Sequence, residues 1–419
     1  MSAPSLAAHH HNEDTTLPTG AHNISCVLHG IDDVRFEDLP VPTECGEDDA
    51  IVSPRKITLC QSDCHYIKHG RIGDFIVEEP MVLGHETAAV VVQVGSRVTN
   101  IKPGDRVALE PGRSCRVCSD CKDGHYNRCA KMIFAATPPH SGKSTISFVW
   151  SRSRCAEGGW GAQGGTLTAY YTLPADLCYP LPDNMSLEEG ALLEPLSVGV
   201  HAVHKVAQMK HAANVVVWGA GPVGLLTCAV AKGLGARKVI AVDIQEARLK
   251  FAKEQGLVDD YYLPPKPLDG EAKADYPRRS AKEFCERFGF EERGPRGVDL
   301  VLDCSGAEVC IQTGIFVLKH GGTLVQVGMG KPDITLDMPT IITRELTIKG
   351  SFRYGPGVYQ LAMDLVARGA VNLKSLISHR YSFRDALKAF EANHTGMGED
   401  GRPLIKAVID GPAIDEKLE

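Results

Sequence analysis

With 419 residues, 43% hydrophobic and 23% charged, the chain is too long for one ordinary core and too apolar for disorder, so two globular domains are expected. A formal net charge of −7 excludes a global positive field for nucleic acid or acidic lipid, and no run approaches the roughly 18 apolar residues that cross a bilayer. Fourteen cysteines accompany an N-terminal stretch with no apolar leader and no arginine. Thiolate ligation of metal in a cytoplasmic protein is therefore expected in preference to disulfides.

Residues 1–23, with His9, His10 and His11, read as a disordered, solvated tail. From Ile24 to about Leu181 the chain reads as short strands, with TAAVVVQVGSRV, GDRVALE and GTLTAYYTLP as β-branched runs broken by Gly and Pro. Residues 141–164, rich in Ser, Arg and Gly, look like an insertion. Gly142-Lys143-Ser144 within them is no phosphate loop, because Thr137 stands where that motif needs glycine. From Asn214 the rhythm becomes strand–helix–strand. NVVVWGAG, helical PVGLLTCAVAKGLGA, KVIAVD and helical QEARLKFAKEQG come first. A polar surface loop at 264–279, GVDLVLDCSG, helical EVCIQTGIFVLKHGG and TLVQVGMG follow. This alternation predicts an α/β fold with a doubly wound parallel sheet. RELTIKGSF leads into helical YQLAMDLVARG, and LISHRYSF and LIKAVID read as strands around helical FRDALKAFEAN.

Gly219-Ala220-Gly221-Pro222-Val223-Gly224 follows a strand and opens a helix, which makes this G-x-G-x-x-G a specific dinucleotide signature. The first glycine makes the turn, the second lets backbone approach a pyrophosphate, and the third packs helix on strand. Asp243, closing the next strand, can accept from ribose hydroxyls and repel a 2′-phosphate, which favours NAD over NADP; Arg248 nearby weakens that preference.

Cys115, Cys118, Cys121 and Cys129 form C-x2-C-x2-C-x7-C, a spacing that can close four thiolates on a structural zinc. An iron–sulfur cluster is the competing reading, and a nucleic-acid zinc ribbon lacks support from charge. Cys60, His85 and Glu86 offer thiolate, imidazole and carboxylate, the donors of an open catalytic zinc. Singly, each has a plain explanation as a core thiol, a satisfied histidine or a surface acid. Beside a dinucleotide fold, the combination points to alcohol oxidation.

Cys60-x-Ser62-Asp63-x-His65-Tyr66, Gly84-His85-Glu86, the four-cysteine lobe, Leu193-Glu194-Pro195-Leu196-Ser197 and GAGPVG occur in an order that resembles the zinc-containing medium-chain dehydrogenases. HGRIGDF, FAATPPH and GSFRYG resemble the polyol branch (sorbitol, xylitol and L-arabinitol dehydrogenases), the fungal xylitol dehydrogenases most of all, over residues 24–411. The resemblance implies a GroES-like catalytic domain over 24–195 and 353–419 and a Rossmann domain over 196–352. It implies two zincs per subunit: a catalytic one on Cys60, His85 and Glu86, and a structural one on the four cysteines. Glu194 would lie beside the catalytic metal, Ser62 and His65 would pass the alcohol proton outward, and Asp63 would orient His85. Tyr66, Phe134, Glu194, Arg353 and Tyr354 would line the polyol pocket. Gly219, Gly221, Val223, Gly224, Asp243 and Arg248 would hold NAD, with Val327, Gly328, Met329, Ser351 and Phe352 at its nicotinamide half. The implied reaction takes a polyol, xylitol first, to its ketose in a homo-oligomer, a tetramer in many relatives.

Gln61 and Thr58 depart from the family's usual glycines, and 141–164 has no counterpart there. A zinc-free quinone or enoyl reductase and a non-enzymatic dinucleotide-binding protein are the rival readings. The first would not need Cys60, His85 and Glu86 together; the second would not need Ser62, His65 or Arg353.

Overall fold

Strand Asp49–Thr58 is buried over most of its length and organises the sheet around it. It pairs antiparallel with Glu86–Val94, Tyr171–Pro174 and Lys406–Asp410. Arg106–Leu109 continues from Glu86–Val94, and Cys178–Pro180 from Arg106–Leu109. The adjacent pairs Ile51-Val52 and Ile57-Thr58 put β-branched residues on both faces, which suits a strand covered from two sides. The computed structural model describes residues 17, 20–138 and 164–413. Residues 1–16, 18 and 19 of the expected tail and all of the expected insertion but Gly164 lie outside the described residues; the tail ends earlier than expected, since Asn23 already opens strand Asn23–Gly30.

Two units emerge: residues up to Arg113, Met132–Ala191 and from His379 onward form one, and Ser114–Lys131 with Leu192–Ser378 form the other. This division differs from the expected one in three places: the first unit's middle segment ends at Ala191 and not at 195, so Glu194 goes with the second unit. The four-cysteine lobe goes with the second unit. So do residues 353–378, whose helix Val358–Ala367 packs on helix Leu193–Val200.

The second unit holds a parallel sheet in the spatial order Asp260–Tyr262, Lys238–Val242, Asn214–Trp218, Val298–Asp303, Leu318–Gln326, Thr347–Gly350. Numbered along the chain this is 3-2-1-4-5-6, the Rossmann order, with its switch point between Asn214–Trp218 and Val298–Asp303. Its core gathers Val216, Trp218, Ile240, Phe284, Val301 and Leu324. The expected loop at 264–279 ends early, because helix Asp275–Phe288 begins inside it. Pro277 falls in the first turn, where its missing N–H costs nothing, and Pro277, Ser280, Ala281 and Phe284 are buried at helical spacing. The helix expected over 308–322 stops at Val317, and Leu318 already starts the next strand. GTLTAYYTLP supplies only Tyr171–Pro174 as strand, with Thr168 making one bridge to Ser25. No helix among the described residues is long and apolar enough to cross a membrane.

Candidate metal and cofactor sites

In the first unit, the ligand atoms of Cys60, His85 and Glu86 all lie within 4.8 Å of one another. Local structure explains the meeting. Cys60 is the residue before helix Gln61–His69, held extended at φ −93°, ψ 146°. Gly84 takes φ +87°, where a Cβ would lie 2.9 Å from the Leu167 side chain, so only glycine turns the chain here to present His85. Glu86 opens its strand opposite Thr58, so both side chains leave the same face. Val408 is also opposite Thr58, and strand alternation puts Lys406 on that face too. The result is a buried knot. The Thr58 hydroxyl and the Lys406 ammonium both donate to Glu86 Oε2, and Lys406 Nζ also donates to the Leu59 carbonyl at 2.6 Å. The side chains of Lys406 and Glu86 are 3% and 2% exposed.

Behind the imidazole sits Asp63, fully buried, its Oδ1 3.7 Å from His85 Nδ1 and accepting from the Gly84 N–H at 3.2 Å. Burial alone would lower the His85 pKa. Asp63 and the Cys60 sulfur outweigh it and hold the imidazole well above its ordinary value, the mark of a negative field. Thiolate, imidazole and carboxylate within one ligand sphere suit zinc and leave a fourth position open. Phe134 is buried with its ring 5.7 Å from that of His85. Tyr66 lies in the apolar cluster with Ile57, Leu59 and Leu83. Ser62 and His65 follow Cys60 on the helix, Ser62 half-buried and His65 exposed. Burial, His69 and His394 lower the His65 pKa, which keeps the ring neutral and able to accept a proton.

In the second unit the four cysteine sulfurs are equally convergent. Cys118 Sγ lies 3.5 Å from Cys121 Sγ and 3.9 Å from Cys129 Sγ, and Cys115 Sγ lies 4.0 Å from Cys121 Sγ. A tetrahedron with Zn–S bonds of ~2.3 Å has edges of about 3.8 Å. The spacing fits one ion and is too tight to surround a multi-iron cluster. The N–H groups of Cys115 and Cys118 point at Cys129 Sγ and Cys115 Sγ, both at 3.4 Å, which favours thiolates.

The glycine cradle has the geometry its sequence predicts. Gly219 takes φ +91°, and a Cβ on Gly224 would meet the Gly219 carbonyl oxygen at 1.8 Å. Around Gly221 the nearest atom to an added Cβ is Arg248 Nη1 at 4.0 Å, so a ligand can approach the backbone. Helix Pro222–Gly233 starts there, with Pro at its first position and Val223 following. Asp243 accepts from the Ala220 N–H at 2.6 Å and the Gln245 N–H at 2.8 Å, which fixes the carboxylate at the strand end. Val327 and Gly328 donate to the Asp303 carbonyl at 2.9 and 2.8 Å, and Ser351 N donates to Gln326 O at 2.8 Å. All stand at the carboxyl ends of the parallel strands, where ligands of this fold bind. Met329 and Phe352 are 73% and 45% exposed there. Arg353, at φ +52°, lays its guanidinium over the Phe352 ring at 4.8 Å. The buried Tyr354 hydroxyl donates to Glu194 Oε1 at 2.8 Å.

Lys406 is the residue that sequence reading missed. The signal was a lysine inside the apolar run LIKAVI, since a charge in a strand interior is rarely buried without a partner. Thr58 registered only as a missing glycine, although its hydroxyl braces the carboxylate.

Residues 46–183 match the family model of the alcohol dehydrogenase GroES-like domain, and residues 222–368 that of zinc-binding dehydrogenases. D-xylulose reductase A of Aspergillus niger is 47% identical over 397 residues, covering 95% of this chain and 99% of that protein. Its Aspergillus oryzae namesake is 47% identical over 394 residues, covering 94% and 98%. Among solved structures, L-idonate 5-dehydrogenase of Escherichia coli K-12 superposes with a TM-score of 0.74 at 26% identity, covering 93% of this chain and 98% of that one.

Proposed function

This chain belongs to the zinc-binding alcohol dehydrogenase family and is an oxidoreductase, and from that membership we propose that it oxidises a polyol secondary hydroxyl to the ketose with NAD, xylitol to D-xylulose. The observation that carries the reading is the convergence of Cys60, His85 and Glu86 to within 4.8 Å in a chain that also carries a glycine cradle for a dinucleotide.

The family's zinc and nicotinamide supply, when bound, a Lewis acid that acidifies the hydroxyl and an acceptor for the hydride leaving its carbon. The remaining work falls to the chain's own residues. Cys60, His85 and Glu86 hold the catalytic zinc, and Asp63 keeps the His85 ring oriented. Ser62 and His65, at i and i+3 of one helix, take the hydroxyl proton and hand it to solvent. Glu194, to which the Tyr354 hydroxyl donates, would receive a substrate hydroxyl, and the family resemblance assigns Tyr66, Phe134 and Arg353 to polyol contact. The substrate would thus lose a proton through Ser62 and His65 and a hydride to the nicotinamide held by the second unit. Gly219, Gly221, Val223 and Gly224 hold the pyrophosphate, and Val327, Gly328, Met329, Ser351 and Phe352 the nicotinamide half. Asp243 accepts from the ribose hydroxyls, which favours NAD over NADP, although Arg248 stands near the same turn. Cys115, Cys118, Cys121 and Cys129 hold a second, structural zinc. A homo-oligomer is supported by the sheet-edge strand Thr347–Gly350, near which Ile342 and Ile348 are 71% and 41% exposed.

The test is an initial-rate comparison across pentitols and hexitols with NAD and NADP in parallel. Xylitol with NAD should give the largest kcat/KM. Turnover of quinones or enones without any polyol activity would refute the reading.

A further inference from the structure

Helix Gln61–His69 carries a feature that neither the catalytic metal nor the cofactor uses. His65 and His69 are one turn apart at i and i+4, both exposed, with ring centroids 4.6 Å apart and planes at 73°. His394 is exposed in the last turn of helix Ala386–Thr395, and its charge opposes that of a protonated His65 without its ring joining the pair. The two helices are held together, which makes this proximity a built feature. Asn393 Nδ2 donates to the Cys60 carbonyl at 3.3 Å and to Cys64 Sγ at 3.2 Å, and Lys68 Nζ bridges to Glu391 at 3.5 Å. Lys68 also reaches Asp32 at 3.0 Å, so its ammonium is engaged by carboxylates on either side.

Two imidazoles at i and i+4 of a helix form the simplest protein chelate for a divalent transition metal, the spacing by which helical His pairs grip zinc. Imidazole selects zinc, nickel and copper over magnesium and calcium. Burial first, then the charges of His69 and His394, oppose protonation of His65, which leaves its ring neutral and able to ligate.

We propose that His65 and His69 form a second-cation site separate from both zinc centres, and that occupying it inhibits the enzyme by withdrawing His65 from proton transfer. Binding stands on the helix geometry alone. Inhibition rests on the relay role given to His65 above, and the two can fail separately. Open to solvent and supplied with two neutral ligands, the site binds reversibly, in contrast to the buried thiolate centre. Free transition metal would therefore act as a brake on an enzyme that needs bound metal to work.

The experiment uses the full-length, zinc-loaded protein titrated with Ni2+ in a non-chelating buffer, followed by calorimetry and by initial rates, with zinc content checked throughout. H69A is the comparison, because His69 has no assigned part in turnover. His9, His10 and His11 are common to both proteins, so their Ni2+ uptake cancels. Wild type should take up one Ni2+ per subunit more than H69A. The Ni2+ concentration that halves the rate should rise about tenfold or more in H69A, an affinity change of roughly 1.4 kcal/mol or above. Equal Ni2+ uptake by both proteins would overturn the site. An extra Ni2+ in wild type with an undiminished rate would overturn the inhibition, and the relay role of His65 with it.

Discussion

Replacing Lys406 with methionine tests how the carboxylate ligand is held. The substitution keeps side-chain length and removes the ammonium. Lys406 and Glu86 are 3% and 2% exposed, so neither charge has water to fall back on. In wild type, Glu86 Oε2 receives both Thr58 and Lys406, and Lys406 also meets the Leu59 carbonyl at 2.6 Å. Breaking a buried ion pair from one side costs about 3–5 kcal/mol. Bound zinc also neutralises Glu86, so the cost in the loaded protein should sit at the lower end, about 3 kcal/mol. The assay is hydrogen exchange of the Asp49–Thr58 and Lys406–Asp410 amides, which reads stability locally. In an E86Q background the same K406M change should cost at least ~1–2 kcal/mol less, because the charge it leaves stranded is gone. Equal costs in the two backgrounds would refute the pairing as the purpose of this lysine.

Asp63→Asn should keep the fold and loosen His85, lowering kcat/KM and zinc retention by about 10–100-fold, checked by rate and metal analysis of dialysed protein. The pH profile of oxidation should have an acid limb below the ordinary histidine value of 6.5, because burial, His69 and His394 all lower His65 and the neutral ring is the proton acceptor. Activity is therefore lost as pH falls through that depressed value. H65N should remove this limb and cost roughly 10²-fold in rate. Gly224→Ala puts a Cβ 1.8 Å from the Gly219 carbonyl oxygen, and backbone cannot yield as a side chain would. A titration of NADH fluorescence should show binding lost.

The parallel sheet was legible because its strands are unbroken β-branched runs, NVVVW, KVIAV and VDLVLD, each buried on both faces. Gly219, Gly221 and Gly224 were legible for a related reason: turn, close approach and packing each exclude a Cβ at a fixed spacing. Helix Asp275–Phe288 was obscured by Pro277 and its flanking arginines, which look like loop until the proline is counted as a first-turn residue. The start of strand Leu318–Gln326 was hidden because LKHGG continues an apolar helix without a stop signal. Cys60, His85 and Glu86 were legible only as a set, since each alone reads as an ordinary core or surface residue. The support beneath them was not. Thr58 and Lys406 reach Glu86 through strand register, which joins positions 28 and 320 residues away and leaves no trace in local periodicity.

Metal content and turnover of the Cys60→Ser protein test the central claim most directly. Elemental analysis should find zinc falling from two to one per subunit as xylitol-dependent NADH formation drops to background, while NADH binding persists. Two zincs retained, or turnover undiminished after the loss of one, would contradict the assignment of Cys60, His85 and Glu86 to the catalytic metal.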